Sequence, residues 1–297
     1  MLAVLQISVE QGFIFALLAI GVVLTYKLLD IADLSVEGTF PLGAFVLAKI
    51  LTVGMPPELG LVIAFCAGAL AGAVTYLLYK RVQIAALLSG ILTMTMLHTV
   101  NLRILGKSNV PLMNLPNLFR HTDGHYKIVY LIGIALIVKL LLDWFLRTEK
   151  GYLVVVTGDN ETLVRALGEN PNTYTLLGLM LSNGLVALSG ALMAQFQGYV
   201  DITMGQSMIV TALASIIIGD AFMKNQAWLN RTTRAIVGAI IYRVIFGIAL
   251  HIGLSPDDLK MMTALIVIVF LGYNHLAANA GMRRRIVSSQ KGSGPRA

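Results

Sequence analysis

Charged residues are scarce in this chain. Asp, Glu, Lys and Arg make up 12% of its 297 residues, whereas an ordinary soluble domain has about 25%. Hydrophobic residues make up 57% and recur in long runs such as GFIFALLAIGVVLTY and LKMMTALIVIVFLGYNHLA, which approach the ~20 residues needed to cross a bilayer. A membrane β-barrel would instead alternate in segments of about ten residues. We therefore predict an all-α polytopic membrane protein.

Cysteine is nearly absent. Cys66 is the single cysteine and lies in an apolar run, so the chain forms no internal disulfide and has no Cys/His metal cluster. We expect Cys66 to be a small buried packing residue. The first residues, MLAVLQISVEQG, lack a basic start followed by a small-residue cleavage site, so we expect no cleavable signal.

Motifs of catalysis and nucleotide binding are also missing. The chain has no HExxH, no GxSxG with triad partners and no Rossmann fingerprint. The letters GKS at 106–108 resemble the end of a phosphate-binding loop, but position 101, where the pattern needs glycine, is Asn101. We predict that the chain is not an enzyme and holds no metal or nucleotide.

Nine hydrophobic segments account for most of the chain, and eight to ten spans fit the pattern. The second segment is short and follows the polar stretch DIADLSVEGTF, which indicates a broken or re-entrant element packed against protein or a cavity. The segments are 12–26, 39–54, 59–79, 84–105, 127–146, 173–198, 207–223, 235–253 and 259–276.

Basic residues indicate the orientation. They collect on one side of a nine-span arrangement, which places that side in the cytoplasm, with the N-terminus outside and the C-terminus inside. Lys107 and Arg120, in the outer loop, depart from this rule. The net charge of +7 therefore indicates cytoplasmic loops rather than nucleic acid. We predict a transmembrane domain over 1–282 and a basic, disordered tail over 283–297. The basic positions are Lys27, Lys80, Arg81, Arg147, Lys150, Lys224, Arg231, Arg234 and Arg283 to Arg285.

One polar segment, GDNETLVRALGENP at 158–171, interrupts the apolar runs on the cytoplasmic side. Asp159 or Asn160 can cap a helix there. Leu163, Val164 and Leu167 form one apolar stripe. Gly168 is a plausible helix breaker, and Pro171 starts the next span. The pattern predicts a short amphipathic helix; a helix that merely lies in the lipid interface is the alternative.

A family resemblance begins at this segment. RALGENPNTYTLLGL, followed by SNGLVALSGALMAQFQGYVDITMGQSMIV, resembles the permease subunits of ABC importers, and more specifically the branched-chain-amino-acid-type permease superfamily. Within it the chain resembles the branch that includes tryptophan/tyrosine-type importers. Further blocks in the same order are ADLSVEGTFPLGA, LLSGILTMTMLHTVNLRILGKSN, ALASIIIGDAF and GAIIYRVIFGIALHIGLSPDDLKMMTA.

The resemblance implies a transporter of several subunits in a bacterial cytoplasmic membrane. Two permease copies would form the pathway for a small solute, an amino acid and by this branch an aromatic one. Separate cytoplasmic ATPase subunits would hold ATP and Mg²⁺, and a solute-binding protein would dock outside. The central helix would be the coupling helix that contacts the ATPase. Its candidate coupling residues are Glu161, Arg165, Ala166, Gly168, Glu169, Asn170 and Pro171.

Polar residues inside the apolar segments are candidates for the substrate pathway, because such residues usually face the bundle interior or a cavity. Glu37 can either meet a substrate amino group or cap the helix that follows. For the polar residues of segment four, interhelical packing contacts are the favoured alternative. We expect two ion pairs, Asp220 with Arg243 and Lys139 with Asp143. The candidates are Ser35, Glu37, Thr39, Ser89, Thr93, Met96, His98, Asn101, Asn183 and Gln195, with Gln197 beside the last.

A different class of transporter remains an alternative. Glu37 and His98 are ionisable groups that could couple transport to an ion gradient, as in a secondary transporter or a channel. That alternative predicts no ATPase partner. A membrane-embedded enzyme is weaker, since the sequence carries no catalytic constellation.

Overall fold

The computed structural model describes residues 1–119, 124–223 and 230–254, together with isolated positions between 258 and 269. Ten α-helices and one pair of short strands lie within these ranges. The helices are α1 Leu2–Val23, α2 Val36–Thr52, α3 Pro57–Tyr76, α4 Ala86–Leu105, α5 Gly124–Leu146, α6 Glu149–Asp159, α7 Glu161–Ala166, α8 Pro171–Gln197, α9 Met208–Phe222 and α10 Arg231–His251. The strands are β1 Asn109–Pro111 and β2 Tyr199–Asp201.

Short turns of other helical types extend three of these helices. A π-helical turn, Leu24–Leu28, continues α1, and another, Leu77–Arg81, continues α3. A 3₁₀ turn, Ile202–Gly205, leads into α9. β1 and β2 pair antiparallel with Val110 opposite Val200, so the loop before α5 is tied to the end of α8. The sequence did not predict these strands.

The all-α polytopic membrane fold is confirmed. Eight of the nine predicted segments coincide with helices, namely α1 to α5 and α8 to α10, and the ninth lies largely outside the described residues. Among the described residues, six helices are long and apolar enough to cross a membrane. Neither α2 nor α4 is among them, so the predicted count of nine spans is not confirmed. The predicted tail at 283–297 lies outside the described residues.

The longest helix, α8, runs through the middle of the bundle, and small residues let its neighbours approach closely. A Cβ at Gly72 of α3 would overlap the backbone of Leu179, and one at Gly43 of α2 would overlap the carbonyl of Ala187. Contacts of this kind hold transmembrane helices together by van der Waals packing, because lipid supplies little hydrophobic drive between helices.

Basic side chains gather at one end of the bundle, which we call the basic end. Lys27 pairs with Asp220 at 2.7 Å, and Arg234 lies 3.8 Å from the same carboxylate. Arg147, Arg231 and Arg234 line one cavity of about 360 Å³. We call the other end, where β1 and β2 pair, the strand end.

The chain re-enters the bundle after α1. Residues 29–35 form neither helix nor strand, yet Asp33 and Ser35 are buried. α2 begins beside Asn183, which lies twelve residues, or about 18 Å, along α8 from its start at the basic end. The polar stretch before the second segment is therefore irregular and buried, whereas the segment itself is one continuous helix, α2, that begins inside the bundle.

Two ion pairs and one cysteine were predicted from the sequence, and the structure places all of them. The pair of Lys139 and Asp143 is confirmed, with Nζ 2.7 Å from Oδ2. The predicted pair of Asp220 and Arg243 is wrong: Asp220 binds Lys27 and Arg234. Arg243 lies nine residues, or about 13 Å, further along α10 than Arg234. Cys66, expected to be buried, is exposed on the chain.

Candidate functional site

The segment between α6 and α8 has the capping pattern that the sequence predicts. Oδ1 of Asn160 accepts a hydrogen bond from the backbone N–H of Leu163 at 3.1 Å and so caps α7. Gly168 follows with φ of +82°, a left-handed conformation that favours glycine. Asn170 accepts from the N–H of Asn172 at 3.0 Å, and Pro171 is the first residue of α8. These caps hold α7 as a short helix between two rigid elements.

The apolar side chains of α7 do not form one stripe. Val164 is fully buried in a cluster with Leu29, Val154 and Tyr174. Leu163 and Leu167, four residues apart, are 48% and 59% exposed. The prediction of a single stripe is therefore wrong, because Val164 anchors the helix while the two leucines face away from the bundle.

Ion pairs fix the orientation of α7. Oε1 of Glu161 lies 2.6 Å from Nζ of Lys80 at the end of α3, and Oε2 lies 3.6 Å from Nη2 of Arg165. The hydrogen bond from Lys80 lowers the pKa of the Glu161 carboxyl below its ordinary value, against the opposing effect of burial. Glu169, after α7, accepts a hydrogen bond from the Tyr174 hydroxyl at 2.8 Å.

One exposed surface results at the basic end. We call it the α7 surface. It presents two leucines and the cation of Arg165, while Asn160 caps the helix and Glu161 pairs with Lys80. It consists of the exposed residues Leu163, Arg165, Ala166, Leu167 and Gly168. The other predicted coupling residues, Glu161, Glu169, Asn170 and Pro171, support this surface through the bonds described above.

Three predicted pathway residues, Ser35, Thr39 and Asn183, meet in a buried hydrogen-bond network. Thr39 Oγ1 donates to Asn183 Oδ1 at 2.7 Å, and Ser35 Oγ donates to the same oxygen at 3.1 Å. The network is completed by Asp33, whose Oδ2 accepts from Asn183 Nδ2 at 2.8 Å. Sequence reasoning missed Asp33, although it stands in the polar stretch DIADLSVEGTF. Because all four side chains are buried, the network fixes the start of α2 rather than lining an open path.

The polar residues in the first half of α4 make packing contacts. Ser89 Oγ donates to the carbonyl of Ala85 at 3.1 Å, and Thr93 Oγ1 donates to that of Ser89 at 2.9 Å. The Thr75 hydroxyl of α3 reaches Thr93 at 3.1 Å. Met96 points outward and is exposed. The contact of Thr93 with Thr75 joins two helices, as the packing alternative expects, whereas the Ser89 bond stays beside its own helix.

Glu37, His98 and Asn101 do come together. They line a cleft of about 220 Å³ between α2, α4 and the turn before α9. The Glu37 carboxylate accepts a hydrogen bond from the backbone N–H of Ser207, so it bridges to another element, and its own helix has no side-chain cap at Ser35. Asn101 Nδ2 donates to the Gly38 carbonyl at 3.2 Å, while its buried Oδ1 has no partner among the described residues.

A larger cavity, of about 530 Å³, opens at the strand end. It is lined by α1, α2, α8, β2 and α10 through Phe15, Phe40, Gln197, Asp201 and Arg243, with methionines between them. Gln195, by contrast, lies outside this cavity: its Oε1 accepts from the backbone N–H of Leu118 at 3.1 Å and holds the loop before α5. Sequence reasoning missed Asp201 and Phe15, which have no distinctive local pattern.

Comparison with known protein families identifies the family of this chain. Residues 5–272 match the family described as "Branched-chain amino acid transport system / permease component". The chain belongs to this family. It is a multi-pass membrane permease of an ABC-type transport system, and the family is one of transport subunits rather than enzymes.

Individual relatives cover most of the chain. It is 43% identical over 267 residues to a "Tyrosine transport system permease protein" of Clostridioides difficile, covering 90% of each chain. It is 25% identical over 264 residues to a "Probable branched-chain amino acid transport permease protein LivH" of Methanocaldococcus jannaschii, covering 83% of this chain and 79% of that one. A solved structure of PsaBC from Streptococcus pneumoniae in complex with Fab matches with a TM-score of 0.41 and 15% identity, over 82% of this chain and 88% of that chain.

Proposed function

We propose that this permease imports an aromatic amino acid, with L-tyrosine as the first candidate. The observation that carries the proposal is the 43% identity, over 90% of both chains, to a relative that is named as a tyrosine transport permease. The tryptophan/tyrosine-type resemblance of the sequence supports the same substrate class. Two copies of the chain form the working pathway in this proposal.

The α7 surface is the contact for a cytoplasmic ATPase in this scheme. Two exposed leucines beside Arg165 suit a protein groove with an acidic edge, and the caps at Asn160 and Asn170 transmit movement of α7 directly to α8. The basic end is then cytoplasmic by the positive-inside rule. The N-terminus starts at the strand end and would lie outside, and the tail at 283–297 would lie inside.

ATP and Mg²⁺ belong to the partner ATPase. Gly106 ends α4 with φ of +69°, and Lys107 follows it at the strand end, away from the α7 surface. This position does not suit a cytoplasmic nucleotide site. A solute-binding protein would dock at the strand end, where the 530 Å³ cavity opens.

Reconstitution tests the proposal. The permease and its ATPase would be reconstituted in proteoliposomes, with ATP or a non-hydrolysable analogue on the ATPase side of the membrane. The solute-binding protein and radiolabelled L-tyrosine would be added on the other side, and transport of L-tyrosine across the membrane would be measured. We expect uptake that requires ATP, the ATPase and the binding protein. Uptake by the permease alone that collapses with a protonophore would contradict the proposal and favour the ion-coupled alternative.

A further inference from the structure

A buried arginine lies at the strand end without a carboxylate partner. Arg243 of α10 is 8% exposed, and its guanidinium carbon lies 3.4 Å from the ring centre of Phe15. Nη1 donates to Gln11 Oε1 across 3.4 Å, whereas Nε has no partner among the described residues. No carboxylate in the described part of the chain pairs with this side chain. A desolvated cation left unpaired in this way is costly, and such residues inside a membrane protein usually serve a function.

A carboxylate lines the same cavity. Asp201, at the end of β2, lines it together with Arg243. One Asp201 oxygen accepts from the Thr203 hydroxyl and from the Thr203 backbone N–H, the latter at 2.8 Å, and the other oxygen accepts from Asn109 Nδ2 at 3.1 Å. Burial raises the pKa of Asp201, but these hydrogen bonds outweigh it and hold the pKa below its ordinary value. The carboxylate is thus anionic at neutral pH. Three hydrogen bonds occupy it, and because two oxygens offer about four acceptor positions, about one remains for a ligand.

Aromatic side chains also line this cavity, packed so closely that Phe15 and Phe40 are each only 1% exposed. Phe15 and Phe40 both line the cavity, and their ring centres lie 6.0 Å apart at an angle of 37°. A third aromatic, Phe246, lies 5.1 Å from the Arg243 guanidinium. The cavity therefore combines one cation, one anion and an aromatic surface.

We propose that this cavity binds the backbone of a free amino acid, with Arg243 binding the α-carboxylate, Asp201 binding the α-ammonium and Phe15 and Phe40 contacting an aromatic side chain. The site rests on the proposed function, of which it specifies the substrate class. A guanidinium suits a carboxylate because its planar fork donates two parallel hydrogen bonds. A lipid headgroup fits less well, since a phosphate would approach the anionic Asp201.

Equilibrium binding tests the site separately from transport. Full-length permease, in nanodiscs with its ATPase and without ATP, would be titrated with tritiated L-tyrosine in competition with two analogues. L-Tyrosinamide lacks the free carboxylate, and 3-(4-hydroxyphenyl)propionate lacks the ammonium. We expect each analogue to compete at least tenfold more weakly than L-tyrosine, because each loses one charge-assisted contact.

Substitutions then assign each contact. Arg243→Gln should weaken L-tyrosine binding by roughly 10- to 150-fold while leaving the affinity for tyrosinamide within about threefold. Asp201→Asn should weaken L-tyrosine but leave the affinity for the propionate within about threefold, since an asparagine oxygen can still cap Thr203. Arg81→Gln, an exposed arginine at the basic end, is the matched control and should change nothing.

Three outcomes overturn the site. They are absence of L-tyrosine binding to the wild type, equal competition by tyrosinamide, and an equal loss of all three ligands in Arg243→Gln, which would show a purely structural arginine. ATP-driven tyrosine uptake by a complex that fails these binding tests would leave the proposed function in place and remove the site. Tyrosine binding that follows the expected pattern, without ATP-driven uptake, would support the site and contradict the proposed function.

Discussion

Nζ of Lys80 lies 2.6 Å from Oε1 of Glu161, and this ion pair joins the end of α3 to the first turn of α7. α3 packs along α8 through Gly68 and Gly72, so the pair links the α7 surface to the helix that passes through the middle of the bundle. If α7 contacts an ATPase, as we propose, its movement would reach both α3 and α8. Arg165, at 3.6 Å from the other oxygen of Glu161, adds a second link within α7.

Breaking this pair should uncouple transport more than it destabilises the protein. We expect Lys80→Met and Glu161→Gln each to lower the free energy of unfolding by about 0.2–1 kcal/mol, since partly exposed ion pairs contribute little. ATP-driven uptake should fall several-fold while ATP hydrolysis by the complex continues. The double variant should be no worse than either single one; additive losses in uptake would contradict a shared role.

The same pair predicts a pH dependence. The pKa of Glu161 is lowered in the folded protein from its ordinary value of 4.5, so the unfolded chain takes up a proton at a higher pH than the folded one. Its contribution to stability is full above about pH 5 and is lost as the pH falls through the lowered folded pKa. Glu161→Gln should therefore reduce the loss of thermal stability between pH 5 and pH 3, as measured by melting curves in detergent. An unchanged pH profile would contradict the assigned ion pair.

The two exposed leucines of the α7 surface should matter for assembly and not for folding. We expect Leu163→Ser with Leu167→Ser to leave the melting temperature within about 2 °C of the wild type and to abolish co-purification of the ATPase. Val164→Ala is the matched control: it removes buried volume, so it should cost about 1–3 kcal/mol of stability while association with the ATPase persists. Retained association in the double serine variant would argue for a helix that only lies in the lipid interface.

Local patterns predicted the two ends of α7 but not its apolar stripe, because caps and breaks depend on neighbouring residues alone. The Asn160 cap, the Gly168 break and the Pro171 start all follow from rules that act within one turn of helix. α6 was missed because its β-branched run at 154–156 disfavours a helix. Tertiary contacts override that preference: Val154 and Val156 are buried against Leu29 and Tyr174.

The sequence could not predict how deep each polar residue lies in the helix bundle. Ser35, Thr39 and Asn183 were singled out as polar, but only three-dimensional packing shows that Asp33 closes their network. The predicted pair of Arg243 and Asp220 failed because the two residues lie on consecutive spans but at different depths. The sequence does not show that Lys27, at the end of α1, reaches Asp220 instead. The strand-end cavity likewise joins residues from positions 15 to 243.

The close approach of α2 to α8 should depend on glycine. A Cβ at Gly43 would overlap the carbonyl oxygen of Ala187, which is backbone and cannot rotate away. We expect Gly43→Ala to cost about 1–3 kcal/mol by forcing the helices apart. Gly133→Ala in α5 is the control, because a Cβ there meets no atom within 4 Å, and it should leave the melting temperature unchanged or raised. Equal melting temperatures for the two variants would contradict the tight α2–α8 contact.

Asp33 holds the start of α2 through its two carboxylate oxygens. Asp33→Ala removes the acceptor for Asn183 Nδ2 and for the Ser35 backbone N–H, which donates to Oδ1 at 2.9 Å. Leaving buried donors without a partner costs about 1–3 kcal/mol each, so we expect a clear fall in melting temperature and faster proteolysis within residues 29–35. Asp30→Asn is the matched control, since Asp30 is exposed and its φ of 54° is one that asparagine also adopts. If Asp33→Ala behaved like Asp30→Asn, the buried network would not be what fixes the start of α2, and residues 29–35 would have to be held by the packing of Leu29 and Ile31 alone.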